Sequence, residues 1–383
     1  MAELLTRGVE RIYPSLDELE KVLASGKKLK IYFGIDPTGP ALHIGHLANL
    51  LRLRDFQDQG HEITILIGDF TAMIGDPTDK TAARIKLTSD QVAENLKNYR
   101  SQIEKILSPE KTKFVFNSSW LAGLNFGAIL ELASEFTVSQ LLERDMFQER
   151  LRREQPVYLH EFLYPLMQGY DSVVLGVDLE IGGNDQTFNM LAGRQMQKRR
   201  GQEKFVLAGK LLVDGAGKKM GKTEGNMVML SDQPSEIFGK VMSWPDELLP
   251  LGFELCTRLP MADQSALIAD NPKLAKMQLA REIISLLYGS AEAQLAEEHF
   301  VNTFQKKEIP ESIEEIVIES GELLGDALVR AGIVASKSEF RRLVEQGGIH
   351  DLDGSVIIDP LLPATSDLRL RVGKRRFVKL VAQ

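Results

Sequence analysis

The sequence predicts an α/β protein built on a doubly wound parallel sheet, continued by a helical region and closed by a small, separate α+β tail. Three observations predict it. Short apolar runs alternate with helical periods up to about residue 230, the pattern from Pro234 to about Gln305 is helical throughout, and the charge balance changes sign beyond Gly321. The length agrees: 383 residues exceed the roughly 250 to 300 at which one hydrophobic core stops growing, so two or three domains are expected.

The first strand is LKIYFGID, stopped by Asp36, Pro37 and the turn PTGP. LHIGHLANLLRLRDFQDQG follows as a helix, with Leu47, Leu50, Leu51 and Phe56 at helical spacing and Gly60 as its stop. EITILIGD is the next strand, and strand, crossover helix, strand implies a right-handed parallel pair. A second set runs through FLYPLMQGYDSVVLGVDL, the helical NDQTFNMLAGRQMQKR and the apolar KFVLAG, while MVML at Met227–Leu230 reads as a further strand. In the helical region LAKMQLAREIISLLYG gathers its apolar residues on one face. The acidic IPESIEEIVIES, with Glu311, Glu314, Glu315 and Glu319, reads as a connector. Beyond it, 10 basic residues against 8 acidic ones oppose the net −8 of the whole chain, so a boundary is expected near residue 320.

Several classes are excluded. No apolar run approaches the ~18 residues of a spanning helix and the start lacks a secretory segment, so a cytoplasmic place is expected. Cys256 is the only cysteine, which removes an intramolecular disulfide and any CxxC zinc site. The net charge does not mark the chain as a whole as a nucleic-acid binder.

Four constellations could carry chemistry. His43 and His46 share one face of a helix N-terminus with Gly45 keeping that face open, a place suited to polyphosphate, although such a pair is more often surface decoration. VDGAGKKMGKTEGN is a glycine-rich loop bearing Lys218, Lys219, Lys222 and Thr223; it is no Walker loop, because the first glycine of that pattern would fall at Ala216. GDPTDKTAAR offers Asp76, Lys80 and Arg84 beyond a strand's carboxyl end. In YPLMQGYD, residues Tyr164, Gln168 and Asp171 form one polar helical stripe, which could hold a small polar substrate or simply face water. No third ligand stands near the two histidines, so no protein-held metal is expected.

In this order the pieces resemble a bacterial-type tyrosyl-tRNA synthetase, a class I aminoacyl-tRNA synthetase, over essentially the whole chain. HIGH at His43–His46 is a full match, and KMGKT at Lys219–Thr223 is similar to KMSKS, departing at Gly221 and Thr223. The tail LGDALVRAGIVASKSEFRRLVEQGGIHDLDGSVI is similar to a small RNA-binding module of these enzymes. The resemblance implies a Rossmann-like catalytic domain over 1–232, an α-helical domain over 233–305, an acidic linker over 306–320 and an α+β RNA-binding domain over 321–383. It also implies tyrosine, ATP with Mg²⁺, and a tyrosine-accepting tRNA as ligands, and a homodimer. Tyr32 and Asp171 are implied at the phenolic hydroxyl, and Asp76, Tyr164 and Gln168 around the ammonium. Gln186 is implied near the reacting carboxyl, with Asp36, Thr38, Gly45 and Asn49 on the ATP side and Asp185 at the ribose. His43, His46, Lys80, Arg84, Lys219, Lys222 and Thr223 are implied at the phosphates. In the tail, Arg330, Lys337, Arg341, Arg342, Arg371, Lys374 and Arg375 are candidates for RNA phosphates. The alternative is an RNA-binding protein on a retired scaffold, against which the intact histidines and lysines argue.

Overall fold

The computed structural model describes residues 2–78, 87–213, 227–305, 313–318, 321–352, 355–365, 368–373 and 376–382. The chain divides into two compact units, Met1–Ala293 and Gln294–Gln383.

The first unit is organised by six strands: β1 (Val9–Tyr13), β2 (Lys30–Ile35), β3 (Glu62–Ile67), β4 (Thr112–Phe116), β5 (Leu179–Gly183) and β6 (Phe205–Gly209). They lie in the order β1-β6-β5-β2-β3-β4. From β6 to β4 all neighbours are parallel, and β1 pairs antiparallel along the β6 edge. β1 and β4 have no counterpart in the sequence reading: VERIY and TKFVF are short, and most of their residues are only partly buried or exposed. The chain steps outward from β2 to β3 and β4, then returns to the other side of β2 for β5 and β6. That reversal opens a crevice at the carboxyl ends of β2 and β5, the place where open α/β sheets bind ligands.

Three helices build the walls. α1 (Ile44–Asp58) crosses from β2 to β3 and buries Leu47, Leu50, Leu51, Leu53 and Phe56. α2 (Leu159–Leu175) leads into β5, and α3 (Thr187–Arg199) packs along α2 before β6. The start of α2 is pinned by Glu161, which accepts the Tyr158 N–H at 2.8 Å and forms a buried ion pair with Arg150, Nη1 to Oε1 at 2.6 Å. MVML is not a strand: Met229 makes only an isolated antiparallel bridge with His43, flanked by Ile44 N–H donating to Val228 O at 2.9 Å and Leu230 N–H to Leu42 O at 2.8 Å. Its apolar residues are held by the start of α1 instead of by a sheet.

Beyond residue 233 come α4 (Pro234–Met242), α5 (Leu249–Cys256) and α6 (Pro272–Tyr288). α6 buries Ala275, Leu279, Ala280, Ile283, Ile284 and Leu287 at helical spacing and packs on α4. These helices share the compact unit of the sheet, and Arg7 ties them to the N-terminal segment through the carbonyls of Phe253, Glu254 and Leu259 at 2.7, 3.0 and 2.9 Å. Cys256 is buried, which pushes its thiol up to about 12.

The second unit contains β7 (Glu314–Ile318), α7 (Leu324–Arg330), α8 (Lys337–Glu345), β8 (Ile349–Asp351), β9 (Arg369–Val372) and β10 (Arg376–Ala382), with sheet order β7-β10-β9-β8. The acidic stretch read as a connector therefore carries a strand. β7 lies parallel to β10, burying Ile316 and Ile318 while Glu314 and Glu315 face outward. The glutamates hid an alternation that only pairing with β10 makes visible. Leu328, Phe340, Leu370 and Val378 are central to this unit's apolar core. No described helix is long and apolar enough to cross a membrane.

Candidate active site

A cavity of about 330 Å³ opens at the crevice between β2 and β5. Its lining includes Tyr32, Asp36, Thr38, His43, Gly45, His46, Asn49, Asp76, Tyr164, Gln168, Asp171, Asp185 and Gln186, so these sequence-predicted residues converge on one space. Lys80, Arg84, Lys219, Lys222 and Thr223 lie outside the described residues. The described flanks of the glycine-rich loop, Leu212 and Met227, both line the cavity.

At one end α1 begins. His43 is its N-cap, accepting the Gly45 N–H at Nδ1 (3.1 Å), and the His43 N–H donates to Nδ1 of His46, also at 3.1 Å. With both Nδ1 atoms acting as acceptors, each neutral ring carries its proton on Nε2. The rings are 4.0 Å apart between centroids. Helix-terminal dipole and two imidazole donors thus coincide, a setting suited to phosphate oxygens.

The other end is a continuous polar chain. Tyr164 donates its hydroxyl to Asp36 Oδ2 at 2.8 Å, and Thr71 Oγ1 donates to Asp36 Oδ1 at 2.7 Å. Asn117 Nδ2 reaches both Thr71 Oγ1, at 3.0 Å, and Asp171 Oδ2, at 3.2 Å. Trp120 Nε1 donates to Asp171 Oδ1 at 2.7 Å. Gly68 makes this possible: a Cβ there would stand 2.0 Å from Asp36 Oδ1 and 2.3 Å from Thr71 Oγ1. Asp76 accepts Thr78 Oγ1 at 2.7 Å and Gln186 Nε2 at 2.7 Å. The carboxylates of Asp36 and Asp76 and the amide of Gln168 thus line the same cavity as the α1 N-terminus and the Tyr32 and Asp171 side chains.

Burial shapes the acid–base character. It pushes the Asp171 carboxyl up to about 8, against the hydrogen bonds from Trp120 and Asn117 and with the charges of Asp36 and Glu180 acting in the same direction as burial. The Tyr32 and Tyr164 phenols are held well above their ordinary range by burial first and by neighbouring carboxylates second. Both tyrosines therefore stay protonated as hydrogen-bonding groups.

The sequence reading missed Thr71, Asn117, Trp120, Ser172, Glu180 and Lys204. Ser172 stands at i+4 from Gln168 on the α2 stripe and could have been read from it; the others sit on elements whose spacing does not connect them to a motif. Among the described residues no group of three or more His, Cys, Asp or Glu could hold a metal ion.

In the second unit Arg341, Arg342 and Lys337 are exposed, with Lys337 Nζ 2.6 Å from Asp326. Arg330 is engaged within the unit, donating to Glu322 Oε1 and Oε2 at 2.9 and 2.7 Å and to Val317 O at 2.7 Å. Arg371 is half-buried on β9, and Lys374 and Arg375 lie outside the described residues.

Comparison with known proteins places this geometry in a lineage. The family model of class I tRNA synthetases for tryptophan and tyrosine matches residues 24–305. A tyrosine–tRNA ligase 2 of Vibrio cholerae is 44% identical over 98% of this chain and 97% of its own length. A tyrosine–tRNA ligase of Legionella pneumophila is 45% identical over 99% of this chain and 97% of its own. Among solved structures, a C-terminally truncated mitochondrial tyrosyl-tRNA synthetase of Aspergillus nidulans shares the fold with a TM-score of 0.67 at 23% identity, covering 79% of this chain and 93% of that one. With its HIGH-bearing helix at the sheet's switch point and relatives matching nearly its whole length, the chain belongs to the bacterial-type tyrosyl-tRNA synthetases of class I.

Proposed function

We propose that this chain activates L-tyrosine with ATP and transfers it to the terminal adenosine ribose of a tyrosine-accepting tRNA. The observation that carries the reading is that one cavity is lined both by the buried hydroxyl and carboxyl of Tyr32 and Asp171, with the carboxylates of Asp36 and Asp76 and the amide of Gln168, and by the α1 N-terminus with its two imidazoles.

In the first step an oxygen of the tyrosine carboxylate attacks the α-phosphorus of ATP, forming the acyl phosphate bond as the bond to the bridging oxygen of pyrophosphate breaks. The nucleophile arrives ionised, so no general base is required and rate comes from positioning and from charge stabilisation. Asp76, Tyr164 and Gln168 hold the ammonium, Gln186 the reacting carboxyl, and Asp36, Thr38, Gly45 and Asn49 line the ATP side, with Asp185 at the ribose. His43, His46, Lys80, Arg84, Lys219, Lys222 and Thr223 stabilise charge on the phosphates. Mg²⁺ arrives on ATP, bound by phosphate oxygens. In the second step a ribose hydroxyl of tRNA attacks the adenylate carbonyl and AMP leaves. The exposed Lys337, Arg341 and Arg342 contribute to holding the tRNA, and the enzyme works as a cytoplasmic homodimer.

Phenylalanine is rejected because it offers no hydroxyl for the Tyr32 and Asp171 polar groups, which would lose the hydrogen bonds the substrate makes and stay cut off from water, a discrimination known for tyrosyl-tRNA synthetases as a family. The test is ATP–pyrophosphate exchange by the full chain with tyrosine, phenylalanine or tryptophan. Exchange with tyrosine far more efficient than with phenylalanine or tryptophan is expected; equal exchange with phenylalanine would overturn the assignment of Tyr32 and Asp171.

A further inference from the structure

At the wall of the cavity, which Glu180 lines, stands a charged pair that the mechanism above does not use. Lys204, just before β6, is fully buried, and so is Glu180 of β5; the two form an ion pair. A lysine is almost never buried without partners, and Lys204 uses all three of its N–H donors: on Glu180 Oε2, on Ser172 Oγ at 2.7 Å and on the Met190 carbonyl at 3.1 Å. Space for this is made by Gly193, where a Cβ would stand 2.5 Å from the lysine Nζ and 2.6 Å from Ser172 Oγ. Burial lowers the pKa of the Lys204 ammonium, and the charge and hydrogen bond of Glu180 oppose that shift.

Two branches lead from the pair to the cavity. Tyr32 of β2 and Glu180 of β5 are register partners on adjacent parallel strands, so their side chains share one face of the sheet. Ser172 Oγ, which accepts from Lys204, lies 2.9 Å from the Tyr32 hydroxyl oxygen. That is the first branch. In the second, the other Glu180 oxygen, Oε1, accepts from Gln168 Nε2 at 2.9 Å. With its nitrogen committed to Glu180, the Gln168 amide has its carbonyl oxygen to offer a ligand. An acceptor suits an ammonium group, whereas an amide nitrogen in the same place would repel it.

We propose that Lys204 is a positioning residue for amino-acid recognition: acting through Glu180 it sets the Gln168 amide as an acceptor for the substrate ammonium, and acting through Ser172 it holds the Tyr32 hydroxyl for the substrate phenol. This rests on the reading of Tyr32 and Gln168 as tyrosine-binding groups. Without the Lys204 ammonium, Glu180 would be a buried carboxylate lacking its counter-charge, and nothing would hold its Oε1 in place to accept from the Gln168 nitrogen.

The branches separate experimentally in ATP–pyrophosphate exchange by the full chain with tyrosine and with phenylalanine. Ser172→Ala removes the Tyr32 partner and the long 3.3 Å Ser172–Glu180 contact but keeps the Lys204–Glu180 ion pair and the Gln168–Glu180 bond, so the ratio of kcat/KM for tyrosine over phenylalanine falls by about fivefold or more. Glu180→Gln presents an amide nitrogen to Gln168 and cuts the ammonium branch. Here KM rises for both amino acids by about tenfold while their ratio stays within about twofold, because both carry the ammonium. Lys204→Met shows both effects, and KM for ATP is unchanged in all three. The proposal is overturned if folded Lys204→Met keeps tyrosine KM and the ratio within twofold of the parent. It is also overturned if the variants lose tyrosine, phenylalanine and ATP parameters by one common factor, as a general loosening would produce. Should Lys204→Met not fold, the Ser172→Ala and Glu180→Gln pattern decides alone. Failure of the functional reading itself would be seen earlier, as a parent protein without tyrosine-dependent exchange.

Discussion

The indole Nε1 of Trp120 donates to Oδ1 of Asp171 at 2.7 Å, while Asn117 Nδ2 holds the second carboxylate oxygen at 3.2 Å. Neither residue belongs to a motif, yet together they aim the group that the functional reading places against the substrate hydroxyl. Burial still dominates the carboxyl's chemistry, raising it to about 8. A fixed, buried carboxyl with a perturbed proton affinity in the lining of a cavity is the feature expected of a specificity group.

Replacing Trp120 by Phe keeps the ring but removes the donor. One carboxylate oxygen of Asp171 then loses its partner, and the carboxyl is pushed higher still. Tyrosine KM should rise by about five- to tenfold, in line with one lost hydrogen bond to a charged or partly charged group, with kcat for activation little changed. Steady-state exchange kinetics check it, and an unaltered KM would remove Trp120 from recognition.

Asp171 also predicts a pH dependence of the ligand-free protein's stability. Its ordinary value is 3.8 and its folded value about 8, so between these the folded state holds a proton that the unfolded chain has released. Stability from this group is therefore greatest below about pH 4 and falls as pH rises toward 8, at a limiting slope of about 1.4 kcal/mol per pH unit. Asp171→Asn should flatten that decline between pH 5 and pH 8 in denaturant titrations. An identical slope in the variant would assign the decline to other groups.

His43→Asn separates capping from catalysis. Asparagine is a good N-cap and can accept the Gly45 N–H as Nδ1 does now, so thermal stability should stay within about 0.5 kcal/mol of the parent. The Nε2–H donor disappears, and loss of one donor to a charged transition state lowers kcat for adenylate formation by about 10²- to 10³-fold with tyrosine KM unchanged. Pre-steady-state exchange measures the step directly; a normal rate would leave His43 as a cap and nothing more.

At Gly68 a methyl group would overlap both atoms of the Thr71–Asp36 hydrogen bond. Gly68→Ala should destabilise by about 1 to 3 kcal/mol as the pair is forced apart, and it should weaken tyrosine binding because Asp36 also anchors the Tyr164 hydroxyl. Calorimetry and tyrosine titration read the two effects separately.

Much of the site was legible as local pattern. The i, i+4, i+7 spacing of Tyr164, Gln168 and Asp171 put them on one face of α2, and that face lines the cavity. His43 and His46 were legible because a turn and an apolar period announce the start of α1. Asn117 and Trp120, by contrast, follow β4, a strand whose partly exposed residues gave no clear alternation, and they meet Asp171 across 54 and 51 residues of chain. Glu180 and Lys204 belong to no motif and drew no reading from the sequence. Burial at the sheet centre, visible only once β5 is seated between β2 and β6, turns them into an ion pair.

By itself the sequence determined what acts over one turn or one strand. This covers the apolar periods of α1 and α6, the strands β2 and β3 on either side of a crossover helix, the capped HIGH turn and the family to which these motifs belong. Tertiary structure alone decided the strand order β1-β6-β5-β2-β3-β4, the register that sets Tyr32 beside Glu180, the proton positions on His43 and His46, and the orientation of the Gln168 amide. The reason is physical. Local propensity is a property of neighbouring residues, whereas strand order, hydrogen-bond polarity and charge burial depend on which distant groups share a water-free interior, and there an unpaired donor or charge costs more than any local preference supplies.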